Sequence, residues 1–140
     1  MRLDLRNCLL TPLVALTLGA LVPGCGDPDG PKLNAVTGAV TFDGEPVKEG
    51  RILFRQLGAG GRSYSGLIVN GSYEVKAEAG PVAVEVTASR LIPGKMDRSN
   101  PVPEPAGEMY IPKRYSGPAT TLKAEVKPGG NTLPFALTTK

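Results

Sequence analysis

The sequence predicts an all-β fold, a seven-stranded antiparallel β-sandwich. Three observations lead there. Apolar and polar residues alternate with period two through most of the chain after Val36. Turn dipeptides of the hairpin kind, Asp43-Gly44 and Asn70-Gly71, separate the alternating runs. No stretch of the same region repeats its apolar residues at the helical period.

The strands follow in order. Val36, Gly38, Val40 and Phe42 share one face, against Thr37 and Thr41 on the other. Ile52 and Phe54 alternate with Arg51 and Arg55, and Ser63 to Val69 forms a less regular third strand. Tyr73, Val75 and Ala77 alternate with Glu74 and Lys76, and Val82, Val84, Val86 and Ala88 with Glu85 and Thr87. Leu122, Ala124 and Val126 alternate with Lys123, Glu125 and Lys127, and Leu133, Phe135 and Leu137 supply the seventh strand. Glu78-Ala79-Gly80-Pro81 reads as the turn after the fourth strand, and Pro128-Gly129-Gly130-Asn131 as the turn closing the last pair. Pro134 has no amide proton, so it predicts an edge position for the last strand or an outward-facing residue. Asn70-Gly71-Ser72 matches a glycosylation acceptor, but between two strands it reads first as a turn.

Residues 1–24 read as a secretory signal peptide. Arg2 and Arg6 outweigh Asp4, an uncharged Leu/Val/Ala run extends from Leu9 to Val22, and small residues end it. The run is shorter than the ~20 residues of a membrane-spanning helix, and Pro12 interrupts it. Its end, Leu21-Val22-Pro23-Gly24-Cys25, resembles the bacterial lipobox. That resemblance implies acylation of the Cys25 thiol and cleavage between Gly24 and Cys25. Residues 25–34, which begin Cys25-Gly26-Asp27-Pro28-Asp29-Gly30-Pro31, read as a tether, and 35–140 as the folded domain. Such a domain is large enough to fold by core burial alone. It must do so, since Cys8 and Cys25 lie in or at the edge of the signal segment.

Composition narrows the function. The chain carries 16 Lys+Arg against 13 Asp+Glu, and removal of the signal leaves 14 against 12. The basic residues are scattered, which argues against nucleic acid as a partner. The sequence contains no histidine, which removes Ser-His-Asp and Cys-His catalysis and most zinc sites. Gly61-Arg62-Ser63-Tyr64-Ser65 lacks the closing Gly and the base of a nucleophile elbow. The acids Asp97, Glu104 and Glu108, and the pair Asp27 and Asp29, read as solvated charges rather than a catalytic pair or a calcium cage. No cofactor and no metal are expected.

Residues 90–118 exceed what a sandwich needs. They show no convincing strand, contain six prolines from Pro93 to Pro118, and read as a long Pro-rich loop. Tyr110, Arg114 and Tyr115 are its candidate binding residues, since aromatic side chains can stack on a sugar or anchor a protein partner. The structural alternative is that Ile111 and Tyr115 pin the loop to the sandwich.

The strand motifs carry a family resemblance. Val36-Thr37-Gly38-Ala39-Val40-Thr41-Phe42-Asp43-Gly44-Glu45-Pro46-Val47, Gly50-Arg51-Ile52-Leu53-Phe54, Asn70-Gly71-Ser72-Tyr73-Glu74-Val75 and Gly80-Pro81-Val82-Ala83-Val84-Glu85-Val86 resemble successive strands of carboxypeptidase regulatory-like domains. Ile111-Pro112-Lys113-Arg114-Tyr115 and the two segments after it resemble small lipoproteins abundant in Planctomycetes. The resemblance implies a transthyretin-like (prealbumin-like) sandwich and no established chemistry. The expectation is therefore a non-catalytic, exported protein, lipid-anchored to the cell membrane or outer membrane. Its sandwich would act as an interaction or structural module toward an envelope protein or polysaccharide. A carbohydrate-binding module using the loop tyrosines is the alternative, and an unrecognised hydrolase the remoter one.

Overall fold

A computed structural model describes residues 30–58 and 60–140. The signal peptide, Gly24, Cys25 and the first part of the tether lie outside the described residues. Pro31–Lys140 forms one compact unit.

The unit is all-β. Its strands are β1 (Leu33–Phe42), β2 (Glu45–Pro46), β3 (Glu49–Gln56), β4 (Ser63–Val69), β5 (Ser72–Glu78) and β6 (Gly80–Thr87). They continue as β7 (Ser89–Asp97), β8 (Glu104–Met109), β9 (Lys123–Val126), β10 (Asn131–Thr132) and β11 (Phe135–Leu137). A short 3₁₀ turn occupies Lys113–Tyr115. Nine strands join one sheet along the path β10-β1-β5-β4-β3-β6-β9, with β2 and β11 also on β1, while β7 and β8 form a separate two-stranded sheet.

Period-two alternation decides which side chains enter the core. Val36 and Val40 of β1, Ile52 and Phe54 of β3, Tyr73, Val75 and Ala77 of β5, and Val82, Val84 and Val86 of β6 are all buried. The sheet curls so that its inner face packs on itself. Phe54 meets Tyr73 at 5.9 Å and Phe135 at 6.3 Å between ring centroids, although neither β5 nor β11 pairs with β3. Both dipeptide turns form as the sequence predicts. Asp43 and Gly44 have φ of 48° and 88°, and Asn70 and Gly71 have 49° and 79°, the doubly positive pattern of tight hairpins.

The structure corrects four expectations. First, eleven strands in two sheets replace the seven of the sandwich. Second, the pairing is not wholly antiparallel, because β10 and β11 run parallel to β1, with Val36 opposite Asn131 and Val40 opposite Phe135. The turn at Pro128–Asn131 therefore closes no hairpin. It carries the chain from β9, at one end of the sheet path, to β10 at the other, and Asn131 Oδ1 accepts the Lys127 amide at 2.8 Å to hold it. Pro134, exposed, falls in the break between β10 and β11, where no ladder amide is required. Third, β5 and β6 do not pair across Glu78–Pro81. Gly80, at φ 132°, passes the chain from beside β1 to beside β3. Fourth, residues 90–118 are not a strandless loop, since β7 and β8 lie within or at the edge of that segment. Their register shifts between Leu91 and Met96, so a bulge around Gly94 (φ 75°) accommodates the prolines.

Candidate functional site

A candidate surface lies at one end of β1. The chain enters the unit at Leu33, opposite Glu78, and the strand ends at Phe42 beside the Asp43-Gly44 turn. Ten residues of extended chain separate these ends by about 30 Å. At the Phe42 end lies a groove of about 600 Å³ between the β1–β2 turn and the base of the β7–β8 hairpin.

Its floor is aromatic. Phe42 and Tyr110, both half-buried, pack edge to face at 5.6 Å, and the Arg90 guanidinium stands 5.8 Å from the Tyr110 ring centre. The Tyr110 amide donates to the Ala88 carbonyl at 3.3 Å, which fixes the ring at the hairpin's base. Pro46, Glu45, Lys48 and Glu49 form the opposite wall, with Ser89 and Leu91 beside Arg90. Arg90 also donates to Glu108 at 2.8 Å, so its charge is already met.

The three candidate loop residues do not converge. Tyr110 lines the groove. Tyr115 is buried in the core with Ile111. Its phenolic oxygen accepts the Thr138 amide at 3.4 Å, and the Arg114 guanidinium stacks on its ring at 4.8 Å. Hydrogen bonding with Thr138 and then Arg114 holds the Tyr115 phenol below its ordinary pKa. Arg114 itself donates to the Thr138 and Lys140 carbonyls. Asp43 accepts the Thr139 hydroxyl at 2.6 Å and the Thr139 amide at 2.9 Å, and these bonds lower its carboxyl pKa. Arg114, Tyr115 and Asp43 thus fasten the segment Thr138–Lys140 to the domain. The partners that Tyr110 does have, Phe42 and Arg90, were not among the sequence candidates. Phe42 reads as one more core position of β1, and only its place at the strand's end leaves its ring half-covered.

No family model matches the chain, and no curated protein matches it. A solved structure, a 9R-lipoxygenase from Cyanothece PCC8801, is similar at 14% identity with a TM-score of 0.42. The alignment covers 76% of this chain and 16% of the lipoxygenase. At that score the likeness carries neither fold nor activity across.

Smaller depressions lie elsewhere on the domain, among them one of about 530 Å³ lined by Leu67, Val69 and Tyr73 among others. Another of about 300 Å³ is lined by Leu67, Ala88, Ser89 and Met109 among others, and one of about 210 Å³ lies beside Gln56, Arg62 and Glu78. Among the described residues no group of three or more His, Cys, Asp or Glu is placed to hold a metal ion. Among them, too, no helix is long and apolar enough to cross a membrane.

Proposed function

We propose that this chain is a non-catalytic, lipid-anchored envelope protein whose β-domain binds a polysaccharide of the envelope through the Phe42–Tyr110 groove. The groove's aromatic floor is the observation that carries the reading. A pyranose ring presents a C–H face that stacks on an aromatic surface, and its hydroxyls need acceptors at the rim. Tyr110 offers the surface, and the carboxylates of Glu45 and Glu49 offer the acceptors. The lipobox-like segment ending at Cys25 supports the anchor, and the absence of histidine from the sequence supports a binding role. The order of the strand motifs supports a carboxypeptidase regulatory-like, transthyretin-like architecture of the Planctomycetes lipoprotein type.

Affinity electrophoresis of the full chain through gels carrying envelope polysaccharide tests the proposal. Retardation is expected for the natural chain, with Tyr110→Ala weakening it about tenfold and Glu49→Gln weakening it less. Equal mobility of the natural chain and Tyr110→Ala would remove the groove from the reading.

A further inference from the structure

We infer that the outer face of the β7–β8 hairpin, together with the outer face of β4, is where a second copy of this chain docks. The register sets Ser89 against Met109, Leu91 against Gly107 and Met96 against Pro105. Directly opposed residues share a face, so Leu91, Met96, Pro105 and Met109 lie together. Leu91 is 67% exposed, Met109 59% and Met96 46%. The other face carries the Arg90–Glu108 ion pair at 2.7 Å and the partly covered Ile92 and Ala106. The hairpin thus turns its apolar face to solvent, the reverse of ordinary patterning.

The stripe continues onto the main sheet. Met109 shares a depression, whose lining also includes Glu49 and Arg51 of β3, with Leu67 of β4, itself 65% exposed, and Leu67 shares the next one with Val69. The five side chains from Val69 to Met96 offer apolar surface on the order of 500 Å² in total, divided by Glu49 and Arg51 on the outer face of β3. That is a large part of the ~800 Å² each partner gives to a standard interface. A two-stranded hairpin standing alone is only marginally stable, so a partner on this face would also secure it.

The occupant follows from three features. Pro93 and Pro105 interrupt the hairpin's edges, which disfavours an added strand and leaves side-chain packing as the mode of contact. The hairpin carries Arg90, Lys95 and Arg98 against Asp97, Glu104 and Glu108, a balance that gives no pull toward an anionic lipid surface and no repulsion between copies. The stripe also lies at the end of β1 away from Leu33, where the tether enters. A two-fold axis through the stripe lays the stripe of one copy on that of the other with each contact made twice, which is how identical subunits close. Only the tether argument rests on the proposed anchoring, and a shared membrane plane would raise the effective concentration of copies.

Site-specific photo-crosslinking of the full chain in cells tests this. A benzophenone side chain at Leu91 is expected to give an adduct of twice the chain's mass whose joined peptides both come from this sequence. The same group at Glu125, on β9, is expected to give none. Met96→Glu with Met109→Glu, both at exposed positions, should cut the adduct from a benzophenone at Leu67 at least about tenfold while leaving the thermal transition in place. An adduct with lipid, an adduct with a different protein, or no adduct would overturn the proposal. Polysaccharide retention should survive the Met96→Glu, Met109→Glu pair, and the dimer adduct should survive Tyr110→Ala, so failure of one reading is separable from failure of the other.

Discussion

A Cβ placed on Gly38 would lie 2.1 Å from the Leu133 carbonyl oxygen and 2.9 Å from the Tyr73 ring. The same carbonyl accepts the Tyr73 hydroxyl at 2.6 Å, and the Leu133 amide donates to Thr37 at 2.8 Å. β1, β5 and the link between β10 and β11 therefore meet at one backbone oxygen, and the glycine is what lets them approach. Gly38→Ala forces that carbonyl away and is expected to cost ~2–3 kcal/mol, read as a drop in the denaturant midpoint. Tyr73→Phe leaves the carbonyl without its donor and should cost about 1 kcal/mol. Burial also raises the Tyr73 phenol above its ordinary value. The unfolded chain ionises this group near pH ~10 while the folded chain keeps it neutral. Its contribution is therefore complete below that pH and is lost as pH rises toward the folded value. Urea midpoints taken between pH 8 and 11 should fall more steeply for the natural chain than for Tyr73→Phe, and parallel slopes would contradict the assignment.

Among the elements, the hairpin is the one whose removal should matter least to the fold. Ser89 and Met109 are cross-strand partners, so an Asn-Gly turn can join them directly. Between them only Ile92 and Ala106 are even half-buried. Replacing residues 90–108 with Asn-Gly is expected to change stability by less than about 1 kcal/mol, while abolishing association between copies. A chain that fails to fold would mean that the hairpin belongs to the core. The same segment shows why part of the fold was illegible. Strands were readable wherever one face is buried, because burial imposes alternation, and β1, β3 and β5 obey it closely while β6 departs from it at the buried Ala83. In β7 and β8 neither face is buried, prolines and glycines interrupt the pattern, and four residues bulge opposite one. The parallel docking of β10 and β11 was illegible for another reason. Pro128–Asn131 has the composition of a hairpin turn, and nothing local distinguishes a return beside β9 from a crossing to β1. The candidate tyrosines divided likewise: both have partners of the same chemistry in sequence, and only the tertiary placement of Phe42 and Thr138 separates a groove residue from a clamp.

For the whole molecule, polarity along β1 connects the fold to the proposed function. The tether enters at Leu33, and the groove and apolar stripe lie about 30 Å away at the strand's other end. A chain held at Cys25 would carry its β-domain on the tether, with copies sharing one membrane plane. This arrangement depends on the anchor, and the anchor depends on a single thiol. Each buried methylene of an acyl chain contributes ~0.8 kcal/mol, so two or three chains hold a protein firmly, whereas the thiol alone contributes nothing comparable. Cys25→Ser removes the acceptor atom while leaving the β-domain untouched, since none of the described core residues involves it. The variant is expected to lose radiolabelled fatty acid and to move from the membrane pellet to the soluble fraction. It should retain its thermal transition and its retardation by polysaccharide. A variant that stays with the membrane and keeps its label would show that the lipid sits elsewhere. One that stays without the label would show that the domain itself holds the surface.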